Sequence, residues 1–235
     1  MLVFLELLRR TDRLRPRDSI VKLLVPGVTN DCDTLNVHKG VLCKSSEFFK
    51  RMMKPEWAEQ RGCPNAIELP DDDMESVSDY IKWLYSGTMP QKLYKKGERD
   101  KRERVAKEAE KVFVSLARAY VFGEKILDVE YKNAVVRTVA AAMVDSNWNM
   151  GPESVGIVYS GTPSGSLLRR LIAENLASIA YDDTEEGLGW MTFIDGYPRE
   201  ALADALKATV KMRHIVEKPD RPDLRSLKSY FEKEQ

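Results

Sequence analysis

Between Leu35 and Tyr85 the spacing of the apolar positions switches back and forth between two periods. Leu35 and Val37 alternate with Thr34 and Asn36, the period of a half-buried strand. From Val41 the period lengthens. Val41, Leu42, Ser45, Phe48, Phe49, Met52 and Met53 share one helical face. Ile67 and Leu69 then mark a second short strand. Met74, Val77, Tyr80, Ile81 and Leu84 are the inward side of a second helix. Asp72 and Glu75 have the spacing of a capping box, and Gly87 sits where that helix should stop.

The same reading extends both ways. Upstream, Arg9 to Asp18 is a charged connector containing Pro16, and Ile20 to Val25 reads as a buried strand stopped by Pro26-Gly27. The turn-rich stretch Val28 to Asp33 joins it to the Leu35 strand as a hairpin. Downstream, Val105, Ala109, Val112, Phe113, Leu116, Ala117 and Tyr120 predict a long amphipathic helix ended by Gly123. Another runs from about Glu130 to Val144, with Val135, Val139 and Ala142 inward. A turn cluster at Asp145 to Pro152 suggests a boundary. Val155, Val158 and Tyr159 then mark a short helix, and Gly161-Thr162-Pro163-Ser164-Gly165 breaks the chain. Leu168, Leu171, Ile172, Leu176 and Ile179 mark a longer helix. Gly187 to Gly196 reads as a loop carrying Trp190 and Phe193. Pro198 opens a last helix holding Leu202, Ala205, Leu206, Thr209 and Val210. Glu217 to Gln235 is a charged tail with two prolines, in which Leu224, Leu227 and Phe231 form a small apolar stripe that either docks locally or stays mobile.

Three stretches carry a family likeness: "VHKGVLCKSSEFFKRM", "IELPDDD" and "IKWLYSGTMP", in that order. They resemble the BTB/POZ domain, with wording closest to its fungal members, and "LARAYVFGEKILDVEYKNAVV" is similar to the segment that packs later helices onto that domain. The resemblance implies an α+β fold in which a small β-sheet is flanked by a helical cluster, followed by an all-α C-terminal extension. The expected organisation is an N-terminal helix and connector over 1–17 and the domain over 18–122, with a charged insert at 91–104. A helical extension over 123–215 and a tail over 216–235 follow. The implied function is protein–protein interaction with self-association, and the extension would be presented to partners.

The resemblance also nominates residues. Trp57-Ala58-Glu59 is similar to the hydrophobic-x-Glu element by which some members grip a cullin scaffold, so Trp57, Glu59 and Tyr85 are candidate partner-binding residues for a ubiquitin-ligase adaptor. A Trp folded onto its own domain beside a solvated Glu is the competing account. In the family an aspartate before the first strand and a basic residue form a pocket at the dimer interface. Lys39 supplies the basic member, whereas Ser19 stands at the aspartate position and Asp18 comes one residue early.

Met1 to Leu8 is apolar at seven of eight positions and precedes Arg9-Arg10. It lacks the leading basic residue and cleavage site of a secretory signal and is too short to span a bilayer. A helix there is apolar almost all round, so it packs on its own domain or on a second copy. The resemblance favours a homodimer interface through Phe4, Leu5 and Leu8.

Composition narrows the partners. The 37 basic and 37 acidic residues cancel, which gives no global attraction to nucleic acid or membrane. Gln91 to Lys111 is locally basic, with nine basic against five acidic residues. Its interleaved acids, its i,i+4 pairs Glu103–Lys107 and Arg104–Glu108, and its single aromatic Tyr94 fit a mobile loop and a solvated helix start better than a nucleic-acid surface. The odd, scattered Cys32, Cys43 and Cys63 suit a reducing, intracellular setting, cytoplasmic or nuclear. With His38 they match no usual zinc spacing.

Asp71-Asp72-Asp73 before a helix reads as capping rather than metal binding. No nucleophile elbow, phosphate loop or dinucleotide motif is present, and "SGTPSG" lacks the lysine of a phosphate cradle. No catalytic residue, metal or cofactor is therefore expected.

Overall fold

In a computed structural model, which describes residues 17–27, 32–99, 101–180 and 190–213, the strand Ile20–Pro26 (β1) lies in the middle of a three-stranded sheet. It pairs antiparallel with β2 (Cys32–His38), placing Leu23 opposite Leu35 and Val21 opposite Val37, as the hairpin reading requires. Its other edge takes β3 (Ala66–Glu68) in parallel, with Leu23 opposite Ile67. A parallel pair needs a crossover connection. Helices α1 (Lys39–Ser45), α2 (Glu47–Met52) and α3 (Pro55–Ala58) supply it. Val21, Leu23 and Val25 point into the core, against Val41, Leu42 and Phe49 of the crossover.

The expected single helix after Val41 is two. Ser46 is extended (φ −113°, ψ 123°) and caps α2 by accepting the Phe49 N–H at 3.2 Å. Its hydroxyl also donates to Ile126 O at 2.5 Å, so a contact eighty residues away holds the break open. Helix α4 (Met74–Ser86) starts one residue later than the Asp72–Glu75 spacing suggested. Asp73 is the cap, bound to Ser76 N at 2.8 Å, while Asp72 pairs with Lys125 at 2.7 Å. Gly87 does end α4, at φ 77°, where a side chain would be strained.

Helix α5 (Arg102–Lys125) does not stop at Gly123. That glycine lies inside the helix because a Cβ there would meet Tyr131 Cδ1 and Lys132 Cγ at 3.0 Å. Close approach of α6 (Val129–Ser146), not a helix end, is what it serves. The position where an N-terminal domain was expected to give way to the extension, 122/123, therefore falls within α5. Tyr80 and Trp83 of α4 pack with Phe122 of α5 and Tyr131 of α6 in one aromatic cluster with ring centroids 4.9–5.9 Å apart.

The turn at Asp145 to Pro152 is present, closed by Asn147 at φ 48°. The core nevertheless runs on across it. Glu110 of α5 accepts the Gly151 and Ser154 N–H groups at 2.8 and 2.9 Å, which caps α7 (Pro152–Gly161) from outside. Helices α8 (Leu167–Ile179), α9 (Trp190–Phe193) and α10 (Arg199–Met212) complete the all-α region. Two expectations change here. The stretch from Trp190 is helical and continues as a 3-10 turn through Gly196, with Trp190 against Tyr197 at 4.7 Å. Helix α10 keeps only part of its expected face inward, with Leu202 packed against the core. Ala201, Ala205 and Ala208 are buried, and Leu206 and Val210 face outward.

Candidate interaction surface

Pro55 opens α3, and its four residues separate two fates. Ala58 is buried, whereas Trp57 is 57% exposed and the following Glu59 is exposed. The side-chain packing that would fold Trp57 onto its own domain is thus mostly unmade. The loop below is tied by Arg61, whose Nη2 donates to Pro64 O at 2.8 Å.

Tyr85 sits on the last turn of α4 and is 37% exposed. Its hydroxyl accepts the His38 N–H at 3.0 Å and lies 2.8 Å from His38 Nδ1, with the rings edge to face. These bonds fasten the end of α4 to the β2–α1 joint. In the sequence His38 reads as ordinary packing at a strand end rather than as a metal ligand or a catalytic base. Its actual partner lies 47 residues away, a pairing that no local pattern reveals.

Lys39 begins α1, half-buried, and its N–H donates to Ser19 O at 2.8 Å. The Asp18 carboxylate accepts the Gly40 N–H, and a Cβ on Gly40 would meet Asp18 Oδ2 at 2.6 Å. Asp18 and Ser19 together therefore receive the first amides of α1. Ile20, directly after them, is 41% exposed. Phe4, Leu5 and Leu8 lie outside the described residues.

Behind this surface a buried carboxylate sets the frame. Asp128 accepts from Ser45 Oγ at 2.5 Å, Tyr80 Oη at 2.8 Å and the Tyr131 N–H at 2.9 Å, joining α1, α4 and α6 at one point. Burial pushes its carboxyl above the usual range, against the lowering effect of those donors. Burial likewise raises the Tyr80 hydroxyl, with the Asp128 charge adding to it, and raises the Cys43 thiol. An aspartate before a helix start was the available sequence signal for Asp128, but it specified only a cap.

Chemically, the arrangement favours contact. The perturbed groups are engaged in structural bonds or buried in the core. Cys32, Cys43 and Cys63 are free thiols, and no group of three potential metal ligands occurs among the described residues. Asp71, Asp72 and Asp73 divide between capping α4 and pairing with Lys125. The basic segment is tied into the fold as well. Lys96 N donates to Asp145 O at 2.9 Å, Arg102 lies 5.6 Å over the Trp148 ring, and Lys111 pairs with Glu108 at 2.9 Å. No helix of the described residues is long and apolar enough to cross a membrane.

Residues 27–112 match the family model for the BTB/POZ domain. None of the curated proteins compared with the chain matches it. The small sheet with its helices, followed by a helical region, is the α+β BTB fold with an all-α extension.

Proposed function

We propose that this chain, with a BTB/POZ domain over residues 27–112, is a non-enzymatic module that self-associates and offers its helical extension to other proteins. The family match carries the reading, because BTB domains are protein–protein interaction modules. The apolar run Met1 to Leu8 supports self-association, as does the exposure of Ile20 at the head of β1. Phe4, Leu5 and Leu8, each buried by a partner copy, contribute roughly 2 kcal/mol apiece before association entropy is subtracted. Lys39 stands at the same edge of the domain. Light scattering is expected to find a dimer for the intact chain and a monomer for a chain beginning at Arg10. An intact chain that is monomeric at tens of micromolar removes this reading.

A second reading is adaptor to a cullin-type ubiquitin ligase, and the exposure of Trp57 favours it. Trp57, Glu59 and Tyr85 are the contact residues, and Trp57→Ala weakens the complex by about 2 kcal/mol. Calorimetric titration with a purified cullin N-terminal domain tests it, a known adaptor serving as control. If only the control binds, the adaptor role is lost. The three free thiols support an intracellular setting, in cytoplasm or nucleus. The fungal wording of the motifs supports a fungal-type member of the family.

A further inference from the structure

Basic and acidic residues are interleaved from Gln91 to Lys111, but folding sorts them. Glu110 commits its carboxylate to the Gly151 and Ser154 N–H groups at the start of α7. Glu108 is half-buried and held by Lys111 at 2.9 Å. Eight of the nine basic residues are exposed, whereas among the described acids of the segment only Glu98 and Glu103 are. The surface is therefore more positive than the sequence that forms it, on a chain of zero net charge.

Arg104, Lys107 and Lys111 recur at i, i+3, i+7 and so lie along one outward line of α5. Successive cations rise by about 4.5 and then 6 Å along the helix. The coil carrying Lys92 and Lys95 returns beside the same helix. Gln91 Nε2 sits 3.4 Å from Ser115 Oγ, Lys96 N is bonded to Asp145 O, and the chain then enters α5 at Arg102. One carboxylate already rests in the field of these groups. The Glu108 carboxyl is held below its ordinary range, first by its hydrogen bond from Lys111 and then by the charges of Lys111, Lys107 and Arg104.

Among the described residues the patch has no large exposed apolar side chain to enter a bilayer and no exposed aromatic ring on which a base could stack. Glu98 and Glu103 repel an unbroken run of phosphates, yet each can pair with a basic side chain of a protein. We propose that Arg104, Lys107 and Lys111, with Lys92 and Lys95 beside them, form a docking surface for an acidic polypeptide segment of a partner protein. This deepens the interaction reading above by naming the partner's chemistry, and it depends on neither the dimer nor the cullin contact.

Fluorescence anisotropy of labelled octaglutamate, titrated with the full chain at low and at physiological salt, tests it. Saturable binding is expected at low salt, weakening by about tenfold at physiological salt because the contacts are solvent-exposed. Lys107→Glu with Lys111→Glu should lower the low-salt affinity by about tenfold. The control pair Lys44→Glu with Lys50→Glu makes the same change in net charge. It lies toward the other end of α5, where Phe48 N meets Ile126 O, and should leave the affinity within about twofold. Circular dichroism and urea midpoints establish that each variant folds, and glutamine replaces glutamate at both positions in any pair that does not. Absence of binding at low salt, or equal losses in the two pairs, overturns the proposal. So does tighter binding of a single-stranded RNA octamer or of phosphatidylserine vesicles through Lys107 and Lys111, which assigns the surface to another class of partner. Failure here leaves the dimer and cullin readings standing, because their own experiments do not involve this surface.

Discussion

Asp128→Ala is expected to destabilise the fold by about 3–4 kcal/mol, because it strands donors that have no other acceptor within the core. The carboxylate takes the Ser45 and Tyr80 hydroxyls and caps α6 at Tyr131 N, so one deletion loosens three helices. Asp128→Asn keeps one acceptor oxygen and should cost less, about 1–2 kcal/mol. The asparagine variant also carries a pH signature. Burial raises the Asp128 carboxyl in the folded state, so between its unfolded and folded values the native protein holds more proton than the unfolded one. This contribution to stability is fully present below the unfolded value and is lost as pH rises through the folded one. Urea denaturation across the acidic range should therefore show the wild type losing stability relative to Asp128→Asn as pH rises. A difference that stays flat, or grows in the other direction, contradicts the assignment.

Arg169→Ala is the second large effect, about 3 kcal/mol, and its origin is backbone rather than charge. The side chain is 7% exposed and its guanidinium is almost fully used. Nη2 donates to Tyr159 O and Thr162 O, the closing carbonyls of α7, and Nε donates to Thr162 Oγ1 at 3.0 Å. The group lies 4.5 Å over the Tyr159 ring. Lysine cannot reproduce that planar fork, so Arg169→Lys should rescue little. The ion pair with Glu200 is a minor part. Glu200 is 72% exposed, and Glu200→Ala should cost no more than about 1 kcal/mol. Denaturant midpoints of the three variants check the ranking. A Glu200→Ala loss as large as that of Arg169→Ala would place the energy in the ion pair instead.

The elements that local periodicity specifies were legible. The strand read at Ile20 to Val25 is present, though only Val21, Leu23 and Val25 of it are buried and Ile20 is exposed, and the long face from Val105 to Tyr120 reports α5 because each residue constrains its neighbours three and four positions on. What escaped depends on contacts between distant positions. Ser46 looks like one more polar residue in a helical face until Ile126 O is brought to its hydroxyl. Gly123 looks like a terminator until α6 crosses it. In α10 the expected face holds at Leu202 and Ala205, but preference for the more hydrophobic side chains also selects Leu206 and Val210, which face outward, over Ala201 and Ala208, which are buried. Close approach to α8 favours the small residues instead. Of the candidate site, Trp57, Glu59, Tyr85 and Lys39 came from resemblance to a family. The bond from Tyr85 to His38 came only from the fold, and Phe4, Leu5 and Leu8 lie outside the described residues.

Helix α5 has a bearing on how this protein comes apart. The family match ends at residue 112, partway along a single helix about 36 Å long. Val105 and Ala109 lie before that point, while Phe113, Leu116, Ala117, Tyr120 and Phe122 lie after it, and all seven are buried. Phe122 and Tyr131, which close the aromatic cluster over Tyr80 and Trp83, come from the far side as well. The recognisable module is therefore not a unit of cooperativity. Heat or denaturant should melt the sheet and the extension in one transition, and a protease that opens α5 dissolves both.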